Sequence, residues 1–473
     1  MMSPPSVQSP GKSRTLPFRR WPRPAIALMP FILAFGVYLL IFLSMRTATP
    51  TGDEPHYLLY ADAIAHGTFD LRGVYAHDVS RFFPAPTIQP HAYVYRTDGA
   101  LRGQHPPGLP LLLAPIVRLG AGANKARMFM IVLSAWLAQE LFGLLREATP
   151  ARRTVLWSAW AVTALLLPLL IYSSQIYPDG PAALIIVATT RRLLRRRTTV
   201  FDGLIVVIGP ALLPWLHPRF LAFAVGLTAW AVLRGFRVLA PLALGVSIML
   251  LGGCFWYWYG SPDPRQAYAP SGGQHWSLAA FYQHSVGLIF SPDFGWLPFA
   301  PVQLVGVAGT GLLLRRYGPG VLAGLAVIGL YLVTLGTENA TIGYSYPGRY
   351  AVAFVPLIAL PLAFALTRRR YLWALFVPLA VLSLAISARG VRRWFDLYAA
   401  GQKTTIPIAR SLAPLWPRTD MPAGQDFPHW PLATIWIAAL TGTALAVSLP
   451  RRPGRRISSG DESATTASVS AGS

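Results

Sequence analysis

The sequence predicts an all-α polytopic membrane protein, and three observations carry this prediction. Apolar residues make up 53% of the chain and charged residues only 12%, whereas soluble globular domains carry about 25% charged residues. Several apolar runs approach the roughly 20 residues that a helix needs to cross a bilayer. The short alternating segments typical of membrane barrel strands are not visible. Helices are therefore the expected spanning elements, because they satisfy their own backbone hydrogen bonds in lipid.

The arginine clusters predict the orientation of the spans. Basic residues collect on the cytoplasmic side of membrane proteins, and here they fall in short clusters between the apolar runs. Residues 1–24 should form a basic cytoplasmic tail before an uncleaved first span. Residues 25–450 form the predicted transmembrane domain, with a long outer loop over 45–124. Residues 451–473 should form a disordered tail, so that both ends lie in the cytoplasm.

The predicted spans number about twelve. They cover 25–44, 125–145, 154–172, 180–195, 200–216, 219–233, 238–259, 297–314, 319–336, 350–367, 371–388 and 431–449. Within the outer loop we expect a helix over 55–66, and a proline-broken apolar helix over 105–120 that lies in the outer interface. The basic residues between 389 and 418 fit this topology least well. The predicted spans place them in an outer loop, whereas basic residues are favoured on the cytoplasmic side.

Charge and cysteine content exclude two classes of function. The net charge is +23, but because the basic residues act as topology signals we expect no nucleic-acid partner. Cys254 is the only cysteine, so neither a disulfide framework nor a thiolate metal site can form.

The first candidate site is the acidic pair Asp53 and Glu54, directly after the first span. Pro55 suits the first position of a helix, so the acids could simply cap that helix and favour its positive end. Capping needs only one acid. Two acids at the outer mouth of a span also suit chemistry, in which one carboxylate deprotonates an acceptor while the other orients it or binds a cation. Spacing alone leaves both interpretations open.

Five further polar residues stand at outer ends of predicted spans or helices. His105 opens "HPPGLP", Asp179 lies in "YPDGPAA", and Arg349 ends "GYSYPGR". His217 and Arg219 share the tight turn "LHPR". Each has a plain interpretation as an interfacial residue or a charge at a helix end. The arginines also suit a phosphate, because an unpaired arginine at membrane depth is costly.

Taken together and in their order along the chain, these motifs resemble those of the GT-C glycosyltransferases, which are membrane enzymes that use a polyprenyl-phosphate sugar. An acidic pair after the first span, a short helix, an interfacial helix opening with "HPP" and a later "PD" motif occur together. The pattern is similar to that of the protein O-mannosyltransferases and the bacterial lipid A aminoarabinose transferases. The resemblance covers about 25–370 and is strongest over 49–115 and 173–185. It implies a GT-C-like bundle with interfacial helices in the first outer loop.

The resemblance also implies roles for particular residues. The candidate catalytic residues are Asp53, which matches the catalytic acid of the family, and Glu54 beside it. Two candidate substrate-binding residues match the family: His105 at the start of the interfacial helix and Asp179 in the "PD" motif. Arg349, His217 and Arg219 are further candidates as phosphate contacts, and His56 is a candidate substrate-binding residue beside the acidic pair. The resemblance leaves open whether the site binds a divalent metal ion, for which Asp53 and Asp179 are the candidate ligands. Gln104 stands where the aminoarabinose enzymes place an acid, which puts a metal site built on that acid in doubt.

The implied reaction moves a sugar to an acceptor hydroxyl on the outer face of the cell membrane, with inversion. Asp53 would accept the acceptor's proton, while Arg349, Arg219 and His105 would stabilise the leaving phosphate. The implied partners are membrane lipids, the polyprenyl-phosphate-linked sugar, and an acceptor that is a glycan, a lipid or a protein.

Two other classes of protein stay open. A secondary transporter would carry charged or broken helices near the middle of the membrane and a repeat between its halves, whereas the acids here stand at span ends. A noncatalytic envelope-assembly protein would use the same acids only as helix caps.

Overall fold

The computed structural model describes residues 28–45, 49–50, 52–85, 87–120, 122–195, 199–271, 276–337, 345–392, 406–417 and 430–449. Over these ranges the chain is predominantly helical, and its strands form one short antiparallel ribbon. The all-α prediction therefore describes the bundle correctly and misses the ribbon. The predicted tails, 1–24 and 451–473, lie outside the described residues.

Four helices in the described ranges are long and apolar enough to cross a membrane. They are Ala123–Ala148, Leu239–Pro270, whose α-helical part is Leu239–Tyr259, Leu372–Arg392, and Pro431–Ser448 within the helix Trp430–Ser448. Shorter apolar helices, of 10 to 17 residues, accompany them. These lengths indicate a helical protein that is associated with a membrane, as the composition predicts.

The first part of the chain combines one apolar helix with a group of shorter elements. Its helices are α1 (Met29–Met45), α2 (Glu54–Ala65), α3 (Arg72–His77), α4 (Val79–Phe82) and α5 (Gly108–Arg118). Between α4 and α5 lie strands β1 (Ala92–Val94) and β2 (Leu101–Gly103), with Ala92 opposite Gly103. The helix predicted over 55–66 and the one predicted over 105–120 are both present, and α2 packs against α5.

The middle of the chain forms the bundle that carries these elements. Its helices are α6 (Ala123–Ala148), α7 (Arg153–Ala164), α8 (Leu169–Tyr172), α9 (Asp179–Leu194), α10 (Val200–Leu216), α11 (Leu221–Leu233) and α12 (Leu239–Tyr259). The predicted span 154–172 is divided into α7 and α8. Pro168 causes this division, because proline cannot donate the backbone hydrogen bond that a continuous helix requires.

The last part of the chain completes the bundle. Its helices are α13 (Leu278–Phe281), α14 (Gly287–Phe290), α15 (Trp296–Phe299), α16 (Gln303–Tyr317), α17 (Pro319–Thr334), α18 (Val355–Arg368), α19 (Leu372–Arg392), α20 (Pro407–Leu412) and α21 (Trp430–Ser448). Two glycines let α16 approach its neighbours closely. A Cβ on Gly309 would collide with a backbone carbonyl of α18, and one on Gly311 with a backbone carbonyl of α21. Small residues at helix contacts are typical of membrane bundles.

A cluster of paired charges lies where α6 and α9 end. Arg191 donates hydrogen bonds to Glu140 at 2.9 Å and to Glu147 at 2.7 Å. Arg195 donates to Asp202 at 2.6 Å. Arg191 follows Asp179 by twelve positions, which is about 18 Å along a helix. The charges on α9 are therefore concentrated at its two ends.

Candidate active site

Asp53 stands directly before α2 but does not cap it. Its carboxylate makes no capping hydrogen bond to the described residues of that helix. Oδ2 accepts a hydrogen bond from Nη2 of Arg349 at 2.8 Å. Oδ1 lies 3.6 Å from Nδ1 of His91 and 3.7 Å from Nε2 of His105. Asp53 therefore occupies the N-cap position without a capping hydrogen bond among the described residues, and its side chain belongs to a cluster of charged and imidazole groups.

Glu54 faces a different part of the molecule. It is fully buried and accepts a hydrogen bond from Nη2 of Arg127, on α6, at 2.7 Å. Its Oε1 also accepts the backbone N–H of Ile176 at 2.9 Å. Glu54 thus ties the start of α2 to α6 and to the segment that leads into α9. The two acids are adjacent in the sequence, but their carboxylates bind different groups.

Three histidines gather beside Asp53. Nδ1 of His56 lies 2.8 Å from the Tyr75 hydroxyl, and its ring stacks on that of His91 with centroids 3.7 Å apart. Nε2 of His105 lies 3.4 Å from Nδ1 of His91. His56 and His105 are predicted site residues, and the structure brings both to the cluster.

His91 is the member of the cluster that the sequence analysis does not single out. It precedes β1, and the ribbon register places it opposite the residues that follow β2. The backbone N–H of Gln104 donates to the His91 carbonyl at 3.0 Å, which brings His91 next to His105. The signal for this hairpin is present in "TDGA", because Asp-Gly between short β-prone segments favours a tight turn.

A second pair of charges lies on the other side of Arg349. Asp179 is fully buried in the first turn of α9, and its Oδ1 accepts a hydrogen bond from Nη2 of Arg219 at 2.8 Å. Its Oδ2 lies 3.6 Å from Nε of Arg349. Arg349 therefore bridges the carboxylates of Asp53 and Asp179.

Aromatic rings hold both guanidinium groups. Arg349 lies 3.9 Å above the ring of Tyr177, and Arg219 lies 4.4 Å from the ring of Tyr350. Three buried atoms of this group have no hydrogen-bond partner among the described residues: Nε of Arg219, Nε of Arg349 and Oδ2 of Asp179. Buried polar atoms of folded proteins are nearly always satisfied, so such a group is a candidate for ligand binding.

His217 shapes the turn that presents Arg219. It caps the short 3-10 helix Pro218–Phe220, and its Nδ1 accepts the backbone N–H of Arg219 at 3.3 Å. Its Nε2 lies 3.4 Å from the hydroxyl of Tyr268. The structure thus places His217 behind Arg219, as a residue that orients it.

The environment shifts the pKa values of these groups in opposite directions. Burial alone would raise the pKa of Asp53, but Arg349, His105 and His91 together hold it below its ordinary value. Burial, against a partly opposing effect of Asp53, lowers the pKa of His105 to about 4. Burial and the neighbouring histidines lower the pKa of His56 to about 2. At neutral pH the site therefore contains an ionised carboxylate beside uncharged imidazoles.

The two predicted metal ligands have different surroundings. Asp53, His91 and His105 offer ligand atoms that all lie within 4.8 Å of one another. Asp179 instead binds Arg219 and lies beside Arg349. In the described part of the chain, Asp53 is thus the predicted ligand that has suitable neighbours for an ion.

The sequence matches no protein-family model, and a comparison with curated proteins finds no relative. A functional assignment therefore rests on the residues and geometry of this chain.

Proposed function

We propose that the protein is a membrane glycosyltransferase that moves a sugar from a polyprenyl-phosphate donor to an acceptor hydroxyl. One observation carries the proposal: Arg349 bridges Asp53 and Asp179 through a 2.8 Å hydrogen bond and a 3.6 Å ion pair. These residues come from three distant parts of the chain. Helix caps alone would not converge in this way, whereas a site that binds an anionic substrate beside a base requires such a convergence.

In the proposed topology, the chain crosses the membrane about twelve times, with both ends in the cytoplasm and the site on the outer face. Each predicted span overlaps a helix in the described residues. The segregation of charges along α9 supports this arrangement. The Asp179 end of α9 would lie at the outer surface and the Arg191 end at the cytoplasmic surface, where basic residues are favoured.

The two buried arginines are suited to the donor phosphate. Guanidinium groups bind phosphate oxygens through paired N–H donors. Nε of Arg219 is buried without a hydrogen-bond partner among the described residues, and Nε of Arg349 has a 3.6 Å ion-pair contact with Asp179 but no hydrogen bond there. A phosphate would supply an acceptor for both. Asp179 and the aromatic rings fix both arginines before the substrate arrives. Such preorganised donors stabilise charge that develops on a leaving group.

Asp53 is the proposed base. Its side chain is 20% exposed, whereas those of Glu54 and Asp179 are fully buried, so an acceptor can reach it. The acceptor oxygen forms a bond to the anomeric carbon, and the bond from that carbon to the phosphate oxygen breaks. The electron pair stays with the lipid phosphate, beside the arginines, and the proton passes to Asp53. Attack from the side opposite the phosphate inverts the anomeric centre.

A transfer assay tests the proposal. Wild type, Asp53→Asn and Asp70→Asn would be purified in detergent and given a panel of radiolabelled polyprenyl-phosphate sugars with a membrane extract as acceptor. Asp70 is a matched control, because it lies in the same loop, is 24% exposed and pairs with Arg72 at 2.6 Å. We expect label to leave the lipid with wild type and Asp70→Asn but not with Asp53→Asn. Equal transfer by all three proteins would contradict the role of Asp53, and no transfer from any donor would count against the donor class.

A further inference from the structure

We propose that Asp53, His91 and His105 together bind one divalent transition-metal ion of the zinc type, with one coordination position left open. The binding of the ion stands on the geometry of these three residues. Only the role of its open position, described below, rests on the proposed glycosyltransferase function.

The spacing of the three ligand atoms fits a tetrahedral ion. Nδ1 of His91 and Nε2 of His105 are 3.4 Å apart, and they lie 3.6 Å and 3.7 Å from Oδ1 of Asp53. Ligand atoms about 2.0–2.1 Å from a tetrahedral zinc ion lie roughly 3.3–3.4 Å from one another. Neighbouring ligands of an octahedral ion at about 2.1 Å would be closer, roughly 3.0 Å apart. The observed triangle, with edges of 3.4, 3.6 and 3.7 Å, is therefore closer in size to a tetrahedral site than to an octahedral one.

The same distances are poor for hydrogen bonding. Good N–H···O hydrogen bonds span about 2.7–3.2 Å, and a contact of about 3.6 Å is not a hydrogen bond. Both contacts to Oδ1 of Asp53 exceed this range, although His105 is buried and His91 half-buried. Among the described residues, a long 3.4 Å hydrogen bond joins the two imidazoles, and neither imidazole has a direct hydrogen bond to Asp53. A shared ion would explain why all three groups face one another.

The remaining contacts leave the ligand atoms available. Arg349 occupies Oδ2 of Asp53, so Oδ1 can serve the ion. The ring of His91 stacks on that of His56. The backbone N–H of His91 donates a hydrogen bond to the Tyr75 hydroxyl at 3.3 Å. Contacts that fix the orientation of metal ligands in this way are a general feature of metal sites.

The ligand types indicate the class of metal. Two imidazoles and one carboxylate suit zinc and its neighbours in the first transition series, whereas magnesium and calcium prefer oxygen ligands. Three protein ligands with a fourth position open are typical of zinc sites that act on a bound oxygen atom. In the proposed reaction, the open position would take the acceptor hydroxyl. An ion lowers the pKa of an oxygen that it binds, so the acceptor hydroxyl would lose its proton more readily there.

Cobalt binding tests the site without reference to activity. The full-length protein would be purified in detergent through a histidine-free affinity tag, stripped with a chelator and titrated with Co²⁺. The variants are His91→Ala, His105→Ala and their combination. The control is His77→Ala, because His77 is an exposed histidine in the same loop. Thermal unfolding of each apoprotein would show that the variants keep their fold.

We expect one Co²⁺ per chain in wild type and His77→Ala, with the visible absorption of a tetrahedral site and displacement by Zn²⁺. Each single variant should bind at least 100-fold more weakly, and the double variant should lose the absorption band. Absence of Co²⁺ and Zn²⁺ binding in wild type would overturn the proposal, as would equal binding by wild type and the double variant. A protein that binds the ion but transfers no sugar would confirm the site and contradict only the proposed reaction.

Discussion

The guanidinium of Arg349 donates a hydrogen bond to the carboxylate of Asp53 across 296 positions of sequence. Asp53 precedes α2, and Arg349 opens the 3-10 helix Arg349–Ala353 before α18. Both side chains lie at the ends of helices, where the chain changes direction. The contact therefore joins the first and last parts of the candidate site, and it keeps a carboxylate ionised next to a cation that is suited to phosphate.

Replacing Arg349 should lower transfer, and it should also lower stability because the buried carboxylate of Asp179 loses a nearby cation. In Arg349→Gln, the phosphate of the proposed donor would lose one preorganised cation, and removal of one such donor typically reduces kcat about 100- to 1000-fold. Arg349→Lys keeps the charge but loses the planar paired donors, so we expect an intermediate loss. Single-turnover rates with a polyprenyl-phosphate sugar would measure both. Arg72→Gln, which removes an exposed arginine of a surface ion pair, is the control and should keep wild-type rates.

Cysteine labelling would test the predicted orientation. In a Cys254→Ser background, Asp98→Cys would place an exposed thiol in the turn of the ribbon, and Arg316→Cys would place one at the end of α16. The proposed topology puts position 98 outside and position 316 in the cytoplasm. A membrane-impermeant maleimide should therefore label the first variant in intact cells and the second only after lysis. The reverse pattern would invert the topology and remove the site from the outer face.

The positions of the helices could be predicted from the sequence because their signals are local. Apolar runs and flanking arginines indicate the spans, and Pro55 and the prolines after His105 mark where α2 and α5 begin. The prediction is least accurate where a proline interrupts an apolar run, as Pro168 divides α7 from α8. Arg389 and Arg392, expected in a loop, instead lie in the last turn of α19.

The pairing within the site could not be predicted, because it depends on contacts between distant segments. Asp53, Asp179, Arg219 and Arg349 are each identifiable as unusual residues at helix ends. Nothing in the sequence shows that Arg349 binds both acids. Likewise, Asp53 and Glu54 differ by about 100° around the helix axis, and only the position of α6 decides that Glu54 meets Arg127.

His217 should make stability depend on pH in the mildly acidic range. Burial and the nearby Arg219 lower the pKa of His217 well below its ordinary value of 6.5. Below pH 6.5 the unfolded chain therefore binds a proton at this position that the folded chain does not bind. The free energy of unfolding falls as the pH falls, with a limiting slope of about 1.4 kcal/mol per pH unit from this residue.

Comparison with His217→Asn isolates this contribution. Asparagine is a good capping residue and can accept the backbone N–H of Arg219 without titrating. Denaturant unfolding at pH 7.5 and pH 5.5 should show a larger loss of stability in wild type than in the variant. An identical loss in both proteins would mean that His217 does not titrate differently on unfolding.

The pairing of Glu54 with Arg127 leads to a prediction that separates a structural acid from a catalytic one. Both side chains are buried, at 0% and 3% exposure. Removing one partner of a buried ion pair leaves an uncompensated charge and costs about 3–5 kcal/mol. Arg127→Met should therefore destabilise the protein strongly, because Glu54 would lose its cation.

Glu54→Gln combined with Arg127→Met should recover part of that loss, because the double variant has no unpaired charge at this position. A double-mutant cycle from denaturant unfolding in detergent measures the coupling. If Glu54 only positions Asp53, the double variant should also recover part of the transfer activity, and the residual loss should follow stability. A Glu54→Gln variant that folds as stably as wild type but transfers no sugar would contradict a purely positioning role. The carboxylate of Glu54 would then be required for the reaction itself, as the resemblance to the GT-C enzymes first implied.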